Sequence, residues 1–99
     1  MPGWFGKSGA ASAERLVDEA MERFVNLDFD GALELLESAE RADPENVAVQ
    51  VRFIAIYAVK GDNASAKIHY ERLKEIDPAA AATALANDVP EALQAYLEE

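Results

Sequence analysis

The residues that could carry acid–base or metal chemistry are one histidine, His69, and nineteen carboxylates in a chain of 99 residues. Acids recur at three- and four-residue steps, as in the pairs Asp18 with Glu22 and Glu34 with Glu37. That spacing is typical of a solvated helix face rather than of a desolvated catalytic pair. A single histidine and the absence of cysteine leave no multi-histidine or thiolate metal site. We therefore expect no enzymatic activity, no cofactor and no metal, and a structural role for His69.

The formal net charge of −10 is unevenly distributed along the chain. Residues 13–46 carry eleven acids and three bases, whereas residues 47–80 carry four acids and five bases. Nucleic acids and anionic membranes bind basic surfaces, so we expect neither as a partner. The charge can serve solubility alone, or the acidic first half can attract a basic partner.

The first residues lack the run of about 7–15 apolar residues that a signal peptide requires. No stretch reaches the roughly 20 apolar residues of a membrane span. The chain is therefore expected to be cytoplasmic. Residues 1–12, in which Trp4 and Phe5 lie between glycines, are expected to form a flexible N-terminal arm. The arm is either a disordered terminus or a docking peptide that uses the two aromatic residues.

An internal repeat in the sequence indicates where the helices of this chain lie. Three pairs of identical residues are separated by 34 positions: Asp28 and Asp62, Ala32 and Ala66, and Pro44 and Pro78. Apolar residues within 14–27 and within 30–42 recur at three- and four-residue steps, which predicts two amphipathic helices. Each repeated proline disfavours helix in the residue before it, and Gly61 can end a helix at positive φ.

The period and these residues resemble the tetratricopeptide repeat family, whose unit is a helix–turn–helix of 34 residues. The resemblance implies an all-α fold, a short solenoid of antiparallel helix pairs in one domain over residues 13–99. It places repeat one at 13–46, repeat two at 47–80 and a capping segment at 81–99. Repeat one departs from the family with Glu19, Arg23 and Leu27, where an apolar residue, tyrosine and glycine are usual.

Residues 47–56 are rich in β-branched side chains and alternate in polarity at first, and this composition alone would favour a strand. The repeat frame places them in a helix, and we predict a helix because intrinsic propensity is a weak guide. Such a helix would be apolar on almost every side, so we expect it to be covered all round.

The resemblance also implies a concave groove, lined by the first helix of each repeat, that accepts a peptide or a partner helix. Carried onto this chain, the groove residues are Glu14, Val17, Met21, Phe24 and Val25 from repeat one and Ala48, Val51, Ala55, Ala58 and Val59 from repeat two. This surface is apolar, and methionine and phenylalanine suit an irregular apolar partner. The family's binders of peptide carboxylates use lysine, asparagine and arginine here, and those residues are absent.

We expect from this a non-catalytic adaptor or chaperone-like module that binds an amphipathic helix of another protein. The alternative is a scaffold protein that self-associates through its groove, its arm or opposed charge faces. The groove could also be filled by the chain's own C-terminal helix through Leu93, Tyr96 and Leu97.

Overall fold

A computed structural model describes the backbone of residues 3–99 and the side chains of residues 9–99. Over that range the chain forms α-helices and no strand. The helices are α1 (Gly3–Val25), α2 (Phe29–Ala42), α3 (Val47–Lys60), α4 (Asn63–Ile76), α5 (Pro78–Asp88) and α6 (Glu91–Glu98). This confirms the all-α fold class. The chain divides into two compact units, residues 1–49 and 50–99.

The first helix begins earlier than the apolar spacing predicts, at Gly3 rather than at residue 14. Alanine is the best helix former, and alanines at positions 10, 11 and 13 continue the helix toward the N-terminus. Gly9 lies against the end of α2, where an added Cβ would come within 2.8 Å of the carbonyl oxygen of Ala42. The side chains of Trp4 and Phe5 lie outside the described residues. Our division of the chain into an arm, two repeats and a capping segment remains a prediction.

The first unit is a hairpin in which α1 packs along α2. Alanines occupy its most buried positions, and Ala13, Ala20, Ala32 and Ala39 have no solvent exposure. Small side chains let two helix axes approach closely, and the larger Leu36 is buried beside them. The buried alanines therefore permit the close packing of α1 along α2.

The turn between α1 and α2 closes with the two hydrogen bonds of a Schellman motif. The N–H of Leu27 donates to the carbonyl of Phe24 at 2.9 Å, and the N–H of Asp28 donates to the carbonyl of Arg23 at 2.8 Å. Leu27 adopts a left-handed conformation with φ of 65°. Asp28 then begins α2, since its carboxylate accepts from the N–H of Gly31 at 3.0 Å.

The same turn recurs 34 residues later, between α3 and α4. The N–H of Gly61 donates to the carbonyl of Ala58 at 3.1 Å, and that of Asp62 donates to the carbonyl of Tyr57 at 2.9 Å. Gly61 has φ of 80°, and Asp62 accepts from the N–H of Ser65 at 3.2 Å. The repeat is therefore a repeat of backbone geometry, and Leu27 occupies the position that glycine occupies in the second turn.

The segment with strand-like composition is helical, as the repeat frame predicts. Asn46 starts α3 by accepting from the N–H of Val49 at 3.2 Å. Val49, Phe53 and Ile56 are buried at helical spacing, so packing overrides the β-branched preference. The expectation that this segment is covered all round is wrong, since Ala48 within it is exposed.

The last two helices complete the second unit. Asp77 caps α5 by accepting from the N–H groups of Ala79 and Ala80, and Pro78 takes the first helical position, where it needs no donor. α5 and α6 both pack against α4, and they also contact each other. Leu93 and Leu97 of α6 are buried, so α6 contributes to the core of the second unit.

Candidate functional site

The residues predicted to line the groove form one stripe on each first helix. On α1 the stripe, here called the α1 face, contains Glu14, Val17, Met21, Phe24 and Val25. Val17 is buried, Met21 and Phe24 are half-buried, and Glu14 and Val25 are exposed. The α1 face is therefore a partly accessible apolar surface with an acidic residue at its N-terminal end.

The corresponding stripe on α3, here called the α3 face, contains Ala48, Val51, Ala55, Ala58 and Val59. Its members lie 34 positions after those of the α1 face. Val51, Ala55 and Ala58 are half-buried, and the two end residues are exposed. The α3 face carries no charge, and three of its five residues are alanines.

Phe24 has a partner within its own hairpin that the sequence analysis missed. The rings of Phe24 and Phe29 are 5.6 Å apart between centroids and tilted by 45°, a favourable aromatic arrangement. Phe29 is the first residue of α2, so this pair joins the two sides of the turn. The available signal was the placement of two aromatics on either side of a predicted turn.

A polar and aromatic cluster joins α3 to α4 in the second unit. Gln50 has no solvent exposure, and its amide oxygen lies 2.7 Å from Nδ1 of His69. An amide oxygen only accepts, so Nδ1 of His69 carries the hydrogen in this bond. The His69 ring stacks on Phe53 at 3.9 Å between centroids, and Tyr57 lies 5.7 Å from His69. The cluster supports the structural role predicted for His69.

A cavity of about 500 Å³ opens on the second unit between α4 and α6. It is lined by Ala64, Lys67, Ile68, Glu71, Arg72, Glu75 and Tyr96. Lys67 Nζ stands 5.1 Å above the ring of Tyr96, and Glu71 pairs with Lys74 at 3.2 Å. Charges of both signs line this cavity, and none of its residues belongs to the α1 face or the α3 face.

Electrostatics reinforce the two turns that carry the repeat. The N–H of Gly31 and the guanidinium of Arg23, 3.0 Å from the carboxylate, hold the pKa of Asp28 below its usual range. The hydroxyl and N–H of Ser65 lower the pKa of Asp62 in the same way. Both carboxylates are therefore ionised caps at neutral pH.

Within the part of the chain that the structure describes, no group of three or more histidine or acidic side chains could hold a metal ion. None of the described helices is both long enough and apolar enough to cross a membrane. The arrangement of the described residues offers apolar surface and hydrogen-bonded caps.

The tetratricopeptide repeat family matches residues 27–89, which is more than half of the chain, and the chain belongs to this family. The match covers α2 to α5 and leaves α1 outside, in agreement with the departures at Glu19 and Arg23. Tetratricopeptide repeats generally mediate protein–protein interaction and are typically not catalytic. No curated protein and no solved structure matches the chain.

Proposed function

We propose that this protein is a non-catalytic adaptor or chaperone-like module that binds an amphipathic helix or peptide of another protein through the α1 face and the α3 face. One observation carries the proposal. The first helix of each repeat leaves an apolar stripe partly accessible, at the same helical spacing and at positions 34 residues apart. A helical ligand with apolar residues at three- and four-residue steps is complementary to such stripes.

The composition of the two faces limits the classes of ligand that they can bind. Met21 is a flexible apolar side chain that adapts to irregular surfaces, and the half-buried Phe24 offers an aromatic contact. The only charge on either face is that of Glu14, so a C-terminal carboxylate would find no cation there. We accordingly propose that the partner is a helix recognised by its apolar side. We also propose that the protein acts in the cytoplasm and that its partner is neither a nucleic acid nor a membrane.

The test uses a fluorescent 18-residue peptide of leucine and glutamine with its leucines at helical spacing, and a scrambled peptide of the same composition. Fluorescence anisotropy should show micromolar binding of the patterned peptide and little binding of the scrambled one. Met21→Glu and Ala55→Glu each place a charge on one face and should weaken binding at least tenfold. Ala82→Glu, at an exposed position of α5, is the matched control.

Light scattering across a range of protein concentrations tests the scaffold alternative. A constant monomer mass together with patterned peptide binding supports the adaptor. A mass that grows with concentration, and growth that Met21→Glu or Ala55→Glu abolishes, would instead assign the two faces to self-association. Equal binding of the patterned and scrambled peptides would remove the support for helix recognition.

A further inference from the structure

Four apolar residues gather at the turn between α1 and α2, and we call them the turn patch: Phe24, Val25, Leu27 and Phe29. Val25 is 75% exposed and Leu27 is 76% exposed, more than any other large apolar side chain among the described residues. The Phe24–Phe29 ring pair lies beside them and is half-buried. The turn patch thus presents two accessible aliphatic side chains next to an aromatic pair.

The turn patch is not needed to form this turn. The equivalent turn of the second repeat closes with the same hydrogen bonds, and it carries Ala58, Val59, Gly61 and Asn63 at the four positions. Leu27 holds a left-handed conformation that costs free energy for any residue with a Cβ, and its exposed side chain recovers little of that cost by burial. A local rule broken without a compensating gain in packing is typical of a functional position.

The surroundings of the turn patch are acidic in the first repeat only. Residues 18–30 contain five acids and one base, and that base, Arg23, pairs with Asp28 at 3.0 Å. The equivalent residues of the second repeat, 52–64, contain one acid and two bases. The exposed apolar residues therefore lie in a segment with four more acids than bases, and the equivalent segment of the second repeat has no such excess.

We propose that the turn patch is a docking site for a basic amphipathic segment of a partner protein. Apolar side chains of that segment would cover Val25 and Leu27, and its lysines or arginines would face the surrounding carboxylates. The proposal rests on the proposed function. It extends the contact surface beyond the α1 face to the turn and assigns the partner a positive charge.

Charge distinguishes a basic partner segment from the other ligands that could cover the turn patch. A second copy of the chain, with a net charge of −10, is repelled by the same field, as an anionic membrane or a nucleic acid would be. Opposite charges around an apolar contact accelerate association and select the partner, and their effect falls as salt increases. A basic segment satisfies both the apolar and the electrostatic character of the turn patch.

The experiment measures fluorescence anisotropy of an 18-residue peptide of leucine and lysine at helical spacing. The comparison peptides carry glutamate in place of lysine, or the same leucines and lysines in scrambled order. The patterned lysine peptide should bind the full chain, and its affinity should fall several-fold between 50 and 200 mM salt, because salt screens the attraction between exposed opposite charges. The glutamate and scrambled peptides should bind at least tenfold more weakly.

Two variants test whether binding occurs at the turn patch. Leu27→Gly removes the most exposed contact and relieves backbone strain, so weaker binding by this variant cannot be attributed to unfolding. We expect it to bind the lysine peptide about tenfold more weakly. Ile68→Ser removes another exposed aliphatic side chain, 59% exposed on α4, and should leave binding unchanged.

Unchanged binding of the lysine peptide by Leu27→Gly, or equal binding of the lysine and glutamate peptides, would overturn the turn-patch proposal. If Ala55→Glu still weakens the uncharged leucine and glutamine peptide in that case, the proposed function stands and only this inference falls. If neither variant affects its peptide, both fall. Self-association that Leu27→Gly abolishes would identify a second copy as the occupant and would also overturn the proposal.

Discussion

Replacing Leu27 by glycine removes a side chain from the one non-glycine residue with positive φ that the structure describes. The left-handed region brings Cβ close to the following carbonyl oxygen, and glycine has no Cβ. The two hydrogen bonds that close the turn use only backbone atoms, so they are kept in the variant. The substitution therefore changes the conformational cost of the turn and leaves its geometry in place.

Three contributions decide the magnitude. A non-glycine residue in the left-handed region costs about 1–3 kcal/mol, which the variant recovers. Glycine has more freedom in the unfolded chain, and this opposes the gain by about 0.5–1 kcal/mol. Leu27 is 76% exposed, so deleting its side chain forfeits burial worth only about 0.5 kcal/mol. Central values leave a net stabilisation of about 0.5–1 kcal/mol, or a rise in Tm of roughly 2–8 °C for a domain of this size.

Thermal and urea unfolding followed by far-ultraviolet circular dichroism measure this difference. Leu27→Ala is the decisive comparison, because alanine removes nearly the same side chain but keeps the left-handed strain. It should be no more stable than the wild type. The reciprocal variant is Gly61→Ala, where an added Cβ meets no atom within 4 Å and the change is conformational alone. It should be less stable than the wild type by about 1 kcal/mol.

The reasoning is refuted if Leu27→Gly melts at or below Leu27→Ala. That result would mean that the left-handed conformation imposes no cost on leucine at this turn, or that side-chain contacts of Leu27 outweigh it. A stabilised Leu27→Gly that also binds the lysine peptide more weakly would show stability and binding opposed at one residue.

Three further predictions concern packing, pH and a buried polar pair. Gly9→Ala should lower the free energy of unfolding by about 1–3 kcal/mol in urea titrations, because its Cβ would press on a backbone oxygen of α2; an unchanged urea midpoint would show that α1 can shift. The lowered pKa of Asp62 means that its carboxylate stabilises the fold above the pKa of the unfolded chain, and that this contribution is lost as pH falls through the folded pKa. The Tm difference between wild type and Asp62→Asn should therefore be largest above about pH 5 and should shrink below about pH 3, whereas a difference independent of pH would contradict the assignment. Gln50→Leu removes the acceptor that lies 2.7 Å from Nδ1 of His69 and should cost about 1–3 kcal/mol in chemical unfolding, and adding His69→Phe should recover part of that loss; no recovery in the double variant would mean that the two residues are not coupled.

Local and periodic features of this protein are written in its sequence. The 34-residue period is visible in the sequence directly. The capping aspartates at 28 and 62 and the proline at 78 act on a few neighbouring residues, so their roles can be predicted without the fold. The spacing of apolar residues along α1 and α3 likewise assigns the α1 face and the α3 face. Their role as a binding groove remains a proposal.

Other structural features depend on contacts between residues that are far apart in the sequence. Gln50 and His69 are 19 positions apart, so the partner of the buried amide follows from the packing of α3 against α4. The close approach of Gly9 to the end of α2 and the burial of α6 against α4 and α5 likewise follow from tertiary packing. The exposure of Leu27 could not be read from residue type either, because an apolar side chain predicts burial. Tertiary packing decides which apolar side chains are buried, and at the first turn Leu27 stays exposed.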